Sequence, residues 1–266
     1  MRWLWFLCCG YCAVVSGAEP PQRIASYSPG ATQTLWDLGC GPQLVAATRW
    51  CPLPPTHPAV RNCDAFNPDL ETLLQTKPDL VIVPRLANPL WAERCSRAGL
   101  KVLVLSAEGP DSIVRDLERL GEATQQQAKA KALRSQLSRV AAIRPRTLLV
   151  IWDGMMAGPD AYTASALRQA GFKSPLQAGT WVKLDWEILV QANPDAILWV
   201  ESKPENTPIA PAQNRRKELS EIVVVKELKF IKASQVYGTT SGSHWLPGTG
   251  LILAAEKLAE LHKSLP

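Results

Sequence analysis

Two stretches of the chain repeat one order of polar and apolar positions. Residues 69–83 read DLETLLQTKPDLVIV and residues 185–199 read DWEILVQANPDAILW, a shift of 116 positions (185 − 69). Asp, Glu, Leu, Gln, Pro and Asp recur in place, so the repeat predicts two copies of one supersecondary unit. In each copy the leading Asp suits a helix N-cap, and the Glu two residues on suits the positive end of the helix. Leu73 and Leu189 supply a buried stripe, and Pro78 and Pro194 end the helix. The apolar runs 80–83 and 196–200 then read as strands buried on both faces, the signature of a parallel sheet.

Other segments fit the same plan. Residues 23–27 and 147–152 predict the first strand of each half, and 102–105 a further strand. Ser28-Pro29 predicts an N-cap followed by proline at the first helical position, with the helix ending near Gly39. Residues 163–170 predict a helix stopped by Gly171, and 250–265 an amphipathic C-terminal helix. Residues 202–214 hold three prolines and read as a surface loop. Between the halves, residues 111–143 are strongly helix-forming, with a pause near Gly121. From 124 to 143 there is neither Gly nor Pro, enough for a helix of about 30 Å. The fold class expected is therefore α/β: two similar lobes with mainly parallel sheets, joined by one long rigid helix. The divisions are an N-terminal lobe over 19–110, a helical bridge over 111–145 and a C-terminal lobe over 146–266.

The first 18 residues read as a signal peptide. Arg2 precedes an uncharged apolar run from 3 to 15, and Ser16-Gly17-Ala18 places small residues for cleavage before Glu19. That run is shorter than the roughly 20 residues of a spanning helix. Export puts the protein in a periplasmic or extracellular compartment, where Cys40, Cys51, Cys63 and Cys95 suggest disulfides. Four cysteines allow three pairings, and Cys51 with Cys63 is favoured because a Pro-rich loop separates them. The net charge of +5 is spread without a dense basic run, which gives nucleic-acid binding no support.

The segments 23–39 (RIASYSPGATQTLWDLG), 66–82 (FNPDLETLLQTKPDLVI) and 185–198 (DWEILVQANPDAIL), with the helical bridge, together resemble class III periplasmic binding proteins, and most closely their cobalamin-binding branch. The resemblance implies a monomer that delivers cobalamin or a related corrinoid, or else haem or a siderophore, to the permease of an ABC importer, and that is no enzyme. It implies that Glu71 and Glu187, one per lobe, dock onto that permease. It also implies aromatic ligand contacts at Trp50, Trp152 and Trp181, and near Phe66. Pro84 stands where the branch has Trp.

The residues support that reading on their own terms. Ligands of such sheets bind at loops beyond the carboxyl ends of the strands, and Trp50, Trp152, Trp181 and Trp245 fall at such places. Aromatic faces suit a large flat ring. Arg85 follows a strand and suits a ligand carboxylate or amide, with Asp153 and Glu201 as lesser candidates at strand ends. His244 sits in GTTSGSHWLPG and offers an imidazole to hydrogen-bond a ligand or coordinate its metal. Trp36, Trp186 and Trp199 are expected in the core, and His57 and His262 at the surface. Three scattered histidines are too few for a protein metal site, and no basic cluster awaits a carboxylate-rich siderophore. A secreted hydrolase is the remaining alternative. It has no G-x-S-x-G, H-E-x-x-H or P-loop behind it, only Ser241 and Ser243 beside His244.

Overall fold

The computed structural model describes residues 19–85, 87, 90–106, 109–137, 145–203 and 205–266. The segment expected as a signal peptide, 1–18, lies outside them. The first half runs β1 (Ile24–Ser26), α1 (Pro29–Asp37), a 3-10 turn (Gly41–Gln43), β2 (Leu44–Thr48) and β3 (Val60–Cys63). It continues through α2 (Leu70–Gln75), β4 (Leu80–Pro84), α3 (Trp91–Arg97) and β5 (Val102–Leu105). Helices α4 (Pro110–Ala123) and α5 (Gln127–Leu137) lead to the second half. There follow β6 (Arg146–Trp152), β7 (Met155–Ala157), α6 (Ala164–Gln169), β8 (Phe172–Lys173), β9 (Trp181–Lys183) and α7 (Trp186–Ala192). The chain closes with β10 (Ala196–Glu201), β11 (Ala210–Pro211), α8 (Gln213–Ser220), α9 (Lys229–Lys232), β12 (Val236–Thr240) and α10 (Gly250–Ser264). The expected loop over 202–214 thus contains a two-residue strand and the start of α8.

Two separate sheets form, as the repeat requires. The first is wholly parallel in the order β3-β2-β1-β4-β5. The second has the order β11-β12-β10-β6-β7-β9, with β6, β10 and β12 parallel and β7, β9 and β11 antiparallel additions. The central strands are buried on both faces, and their alternate residues enter different cores. Leu80 and Ile82 of β4, with Leu148 and Val150 of β6 and Ala196 and Leu198 of β10, belong to one cluster that spans both halves. Helices α1, α4, α5, α6 and α10 fill it. Val81 and Val83 face outward against Leu73 of α2 and Trp91 and Cys95 of α3. Leu149, Ile151 and Ile197 face outward against Leu189 of α7 and the α8–α9 region.

The helical bridge forms as two helices, α4 and α5. It breaks at Thr124–Gln126, where Gln125 takes φ +57°, and α5 doubles back along α4. Glu118 pairs with Arg134 at 2.5 Å, and Gly121, three residues before the break, lies against Ala130. Residues 138–143 of the expected single helix lie outside the described residues. The halves also share the inner core and a clasp between the first helix and the last. Thr249, at the start of α10, donates its N–H to Thr34 Oγ1 at 3.2 Å and its hydroxyl to Asp37. Gly30 abuts the Pro247 carbonyl so closely that a Cβ there would lie 2.3 Å from the oxygen.

Three residue-level expectations are also corrected. The four cysteines are free and buried, so no disulfide forms among the described residues. Cys51 packs in the inner core and Cys63 in the outer one, on opposite faces of the first sheet, which explains why the favoured pair does not meet. Burial pushes the thiols of Cys63 and Cys95 up to about 11, so both stay protonated. Trp36 is 40% exposed and rests edge-on against His57, whereas Trp91 takes the fully buried place. His262 is partly buried, edge-on to Phe172. Among the described residues no helix is long and apolar enough to cross a membrane.

Candidate functional site

In a parallel sheet all strands end on one edge, and their following loops gather there. On the first sheet that edge carries Trp50 after β2, Phe66 after β3 and Arg85 after β4. Trp50 and Phe66 are 66% and 75% exposed, very high for large aromatic rings, and Arg85 is exposed. The Arg49 guanidinium lies over the Trp50 ring at 5.1 Å, a cation–π contact. The Asp64 carboxylate accepts from the N–H groups of Phe66 and Asn67, which shapes the loop carrying Phe66.

The second sheet turns the corresponding edge into a built corner. Asp153 and Gly154 take φ +47° and +76°, both left-handed, forming a two-residue hairpin that pairs Trp152 with Met155. Strand β9 then adds to β7, placing Trp181 opposite Ala157. Trp152 and Trp181 meet edge-on with centroids 6.1 Å apart, and Tyr162 lies 5.7 Å from Trp181. Burial pushes the Tyr162 hydroxyl pKa up, so the phenol is neutral. With Met155 and Asp153 these rings line a depression of about 190 Å³, open to solvent. It is a shallow wall, too open to enclose a ligand on its own.

The polar edge of this wall is tied down. The Trp152 Nε1–H donates to Ser202 Oγ at 2.7 Å, and Ser202 Oγ donates to Asp153 Oδ2 at 2.5 Å. Ser202 is the first residue after β10, so the contact links two neighbouring strand ends. Met155, Tyr162 and Ser202 escaped the reading of the sequence. Asp153-Gly154 between apolar residues is a strong hairpin signal that would have located Met155.

Trp245 does not join the site. It is 1% exposed and sits in the inner core, its backbone N–H donating to the Ser241 carbonyl at 3.3 Å. The loop after β12 folds inward towards α10, and that brings the indole inside. His244 beside it is partly buried, with its backbone N–H on Asn206 Oδ1 at 3.2 Å. Burial, helped by the Lys257 charge, pushes its imidazole down to about 4, leaving it neutral near pH 7 and competent as a nitrogen donor. Among the described residues no group of three or more His, Cys, Asp or Glu is arranged for a metal ion.

Glu71 and Glu187 occupy matching places. Asp69 accepts from the N–H groups of Glu71 and Thr72, at 3.1 and 3.3 Å. Asp185 accepts from those of Glu187 and Ile188, at 2.8 and 3.1 Å. Each Glu is exposed in the first turn of a helix that starts at the carboxyl edge and returns to the other edge. The closing Asp of each repeat has a structural task that the sequence did not disclose. Asp79 accepts from the N–H groups of Gln22 and Arg23, and Asp195 from the N–H and hydroxyl of Thr147, so each pins the start of its half's first strand. A larger recess of about 680 Å³ lies at that opposite edge of the second sheet, lined by Arg146, Asp195, Lys229, Gln235 and His262. Asp195 there is already satisfied by Thr147 and by Lys229 at 2.7 Å, and none of the candidate aromatic rings lines the recess.

Comparison with known proteins agrees with this architecture. The family model described as "Periplasmic binding protein" matches residues 24–241. A cobalamin-binding protein of Halobacterium salinarum is 26% identical over 197 residues, covering 67% of this chain and 53% of its own length. The chain thus spans about half the length of that relative. An uncharacterized ABC transporter substrate-binding lipoprotein of Bacillus subtilis is 26% identical over 263 residues, covering 91% of this chain and 80% of its own. The solved periplasmic haem-binding protein of Vibrio cholerae superposes with a TM-score of 0.72 at 18% identity, over 91% of this chain and 98% of that one. Two α/β halves with loops gathered at their carboxyl edges, and a family match across most of the chain, lead to one conclusion: the chain belongs to the periplasmic binding protein family.

Proposed function

We propose that this protein is an extracytoplasmic solute-binding component of an ABC importer, and that its cargo is cobalamin or a related corrinoid. The observation that carries this reading is the aromatic corner of Trp152, Tyr162 and Trp181 at the carboxyl edge of the second sheet. It offers apolar area to a flat macrocycle without a counter-charge of its own beyond Asp153. Exposed Trp50 and Phe66 supply a second surface on the other half, and Arg85 a donor to the ring's periphery. The name of the Halobacterium salinarum relative supports a corrinoid. The protein acts as a monomer, adds no cofactor of its own and performs no catalysis. Glu71 and Glu187, presented alike by capped helices, dock onto the permease. Its place of action is the periplasm or cell exterior, reached after removal of residues 1–18.

The test is titration with cyanocobalamin, followed by tryptophan fluorescence and calorimetry. The expected dissociation constant is about 1 μM or below, equivalent to about −8 kcal/mol or better. Absence of binding at a hundredfold higher concentration defeats the corrinoid assignment. Combined Glu71→Ala and Glu187→Ala is expected to leave this titration unchanged while abolishing co-purification with the permease; loss of both together defeats the docking role. Haem is a second reading, favoured by the neutral imidazole of His244. A Soret shift with haemin that His244→Ala removes, in a protein that ignores cyanocobalamin, selects it.

A further inference from the structure

We infer that Asp153 sorts macrocyclic ligands by their periphery, favouring rings edged with carboxamides over rings edged with carboxylates. The inference rests on the tetrapyrrole reading above and deepens it. Asp153 is the one charged residue among the five lining the aromatic depression. Its place is fixed from two sides. The left-handed hairpin turn sets its backbone, and Ser202 Oγ, 2.5 Å from Oδ2, sets its carboxylate. Ser202 in turn accepts the Trp152 indole N–H at 2.7 Å.

This chain of contacts uses up two donors at the Asp153 end of the wall. The Trp152 N–H is spent on the protein, so its ring offers a ligand only apolar area. Ser202 has given its proton to Asp153. Among the described residues no donor reaches Asp153 Oδ1, and no Lys or Arg pairs with the carboxylate. The wall therefore presents a ligand with an acceptor bearing negative charge. A carboxamide N–H₂ at the edge of a stacked ring donates to such a group. A carboxylate in the same place meets a like charge next to an apolar surface, where screening by water is reduced. Arg49 and Arg85 stand on the other sheet, and Arg49 is occupied over Trp50.

The experiment compares two corrins with the same ring and cobalt, dicyanocobinamide with carboxamides and dicyanocobyrinic acid with free carboxylates. Each is titrated into the full-length mature protein and into Asp153→Asn. Asparagine tolerates the left-handed turn and keeps an oxygen for Ser202, so this variant removes little beyond the charge. The wild type is expected to bind the amide ring at least about tenfold more tightly, and Asp153→Asn to shrink that ratio by about tenfold, chiefly by improving the acid's binding. Raising the salt concentration is expected to narrow the wild-type ratio. Ser202→Ala is expected to shift the Trp152 Nε1–H resonance and to weaken both rings alike. Binding of both rings with a ratio that Asp153→Asn leaves unchanged overturns the role of Asp153 alone. A wild type that binds neither ring overturns the tetrapyrrole reading, and this inference with it.

Discussion

The two carboxyl edges start from the same repeat and end differently. On the first sheet, parallel strands end in loops that leave Trp50 and Phe66 largely in solvent. On the second, an added hairpin and one further strand hold Trp152 and Trp181 against each other, with Ser202 fixing the indole. One edge is a pair of loose aromatic paddles, and the other is a preformed wall. Preorganised groups lose less freedom on binding, so under the proposed function affinity should concentrate at the wall, with the paddles adapting to the cargo. Duplication supplied two equal frameworks, and the local additions decided which of them became rigid.

The largest effect expected from breaking this comparison is on stability. Trp245→Ala removes a fully buried indole from the inner core and should cost about 3–5 kcal/mol in urea unfolding, whereas Trp50→Ala should stay within about 0.5 kcal/mol. Equal losses would mean that the first edge is packed in solution. Next come the paired acids. Asp195→Ala deprives Thr147 and Lys229 of their partner and should cost about 2 kcal/mol, against about 1 kcal/mol for Asp79→Ala, which frees only two backbone N–H groups. Burial alone would raise the Asp195 pKa, but the hydrogen bonds from Lys229 and Thr147 outweigh it and hold it at about 2. Its contribution is therefore full above its unfolded value near 4 and fades as pH falls towards about 2. Asp195→Asn should flatten that stretch of the stability–pH curve, as measured by denaturation at each pH. The smallest effect concerns the helix ends. The first copy stops with Lys77 at φ +47°, the second with Asn193 at φ +37°, in the same left-handed conformation. Asparagine accepts that conformation more readily, so Lys77→Asn should stabilise by about 0.5 kcal/mol, seen as a small rise in Tm.

What was legible followed from periodicity and punctuation. The capping Asp, the acidic first turn and the stopping Pro located α2 and α7, and the apolar runs after them located β4 and β10. The matched pair Glu71 and Glu187, proposed to dock on the permease, came from the same repeat. The bridge was legible as helix with a pause near Gly121, but not the place of its break, because helix propensity reports where a chain can be helical. It is silent on a single left-handed residue such as Gln125, which is set by α5 packing on α4. Trp245 misled in a related way. A tryptophan after a Gly/Ser-rich loop looks available, and only the clasp of α10 on α1 decides that the loop turns inward. The cysteines were read from the expected compartment, whereas their fate depends on which face of a strand each occupies. The relay from Trp152 through Ser202 to Asp153 joins residues about fifty positions apart and leaves no local trace.

The clasp between Thr249 and α1 also governs how the molecule comes into being. Its partners are separated by 215 and 212 positions along the chain. During synthesis α1 is made well before α10, the surface on which it rests. Contacts of such long sequence separation slow folding, because their loop must close before they yield any stabilisation. The clasp is therefore among the later contacts to form, after the halves it joins have taken shape.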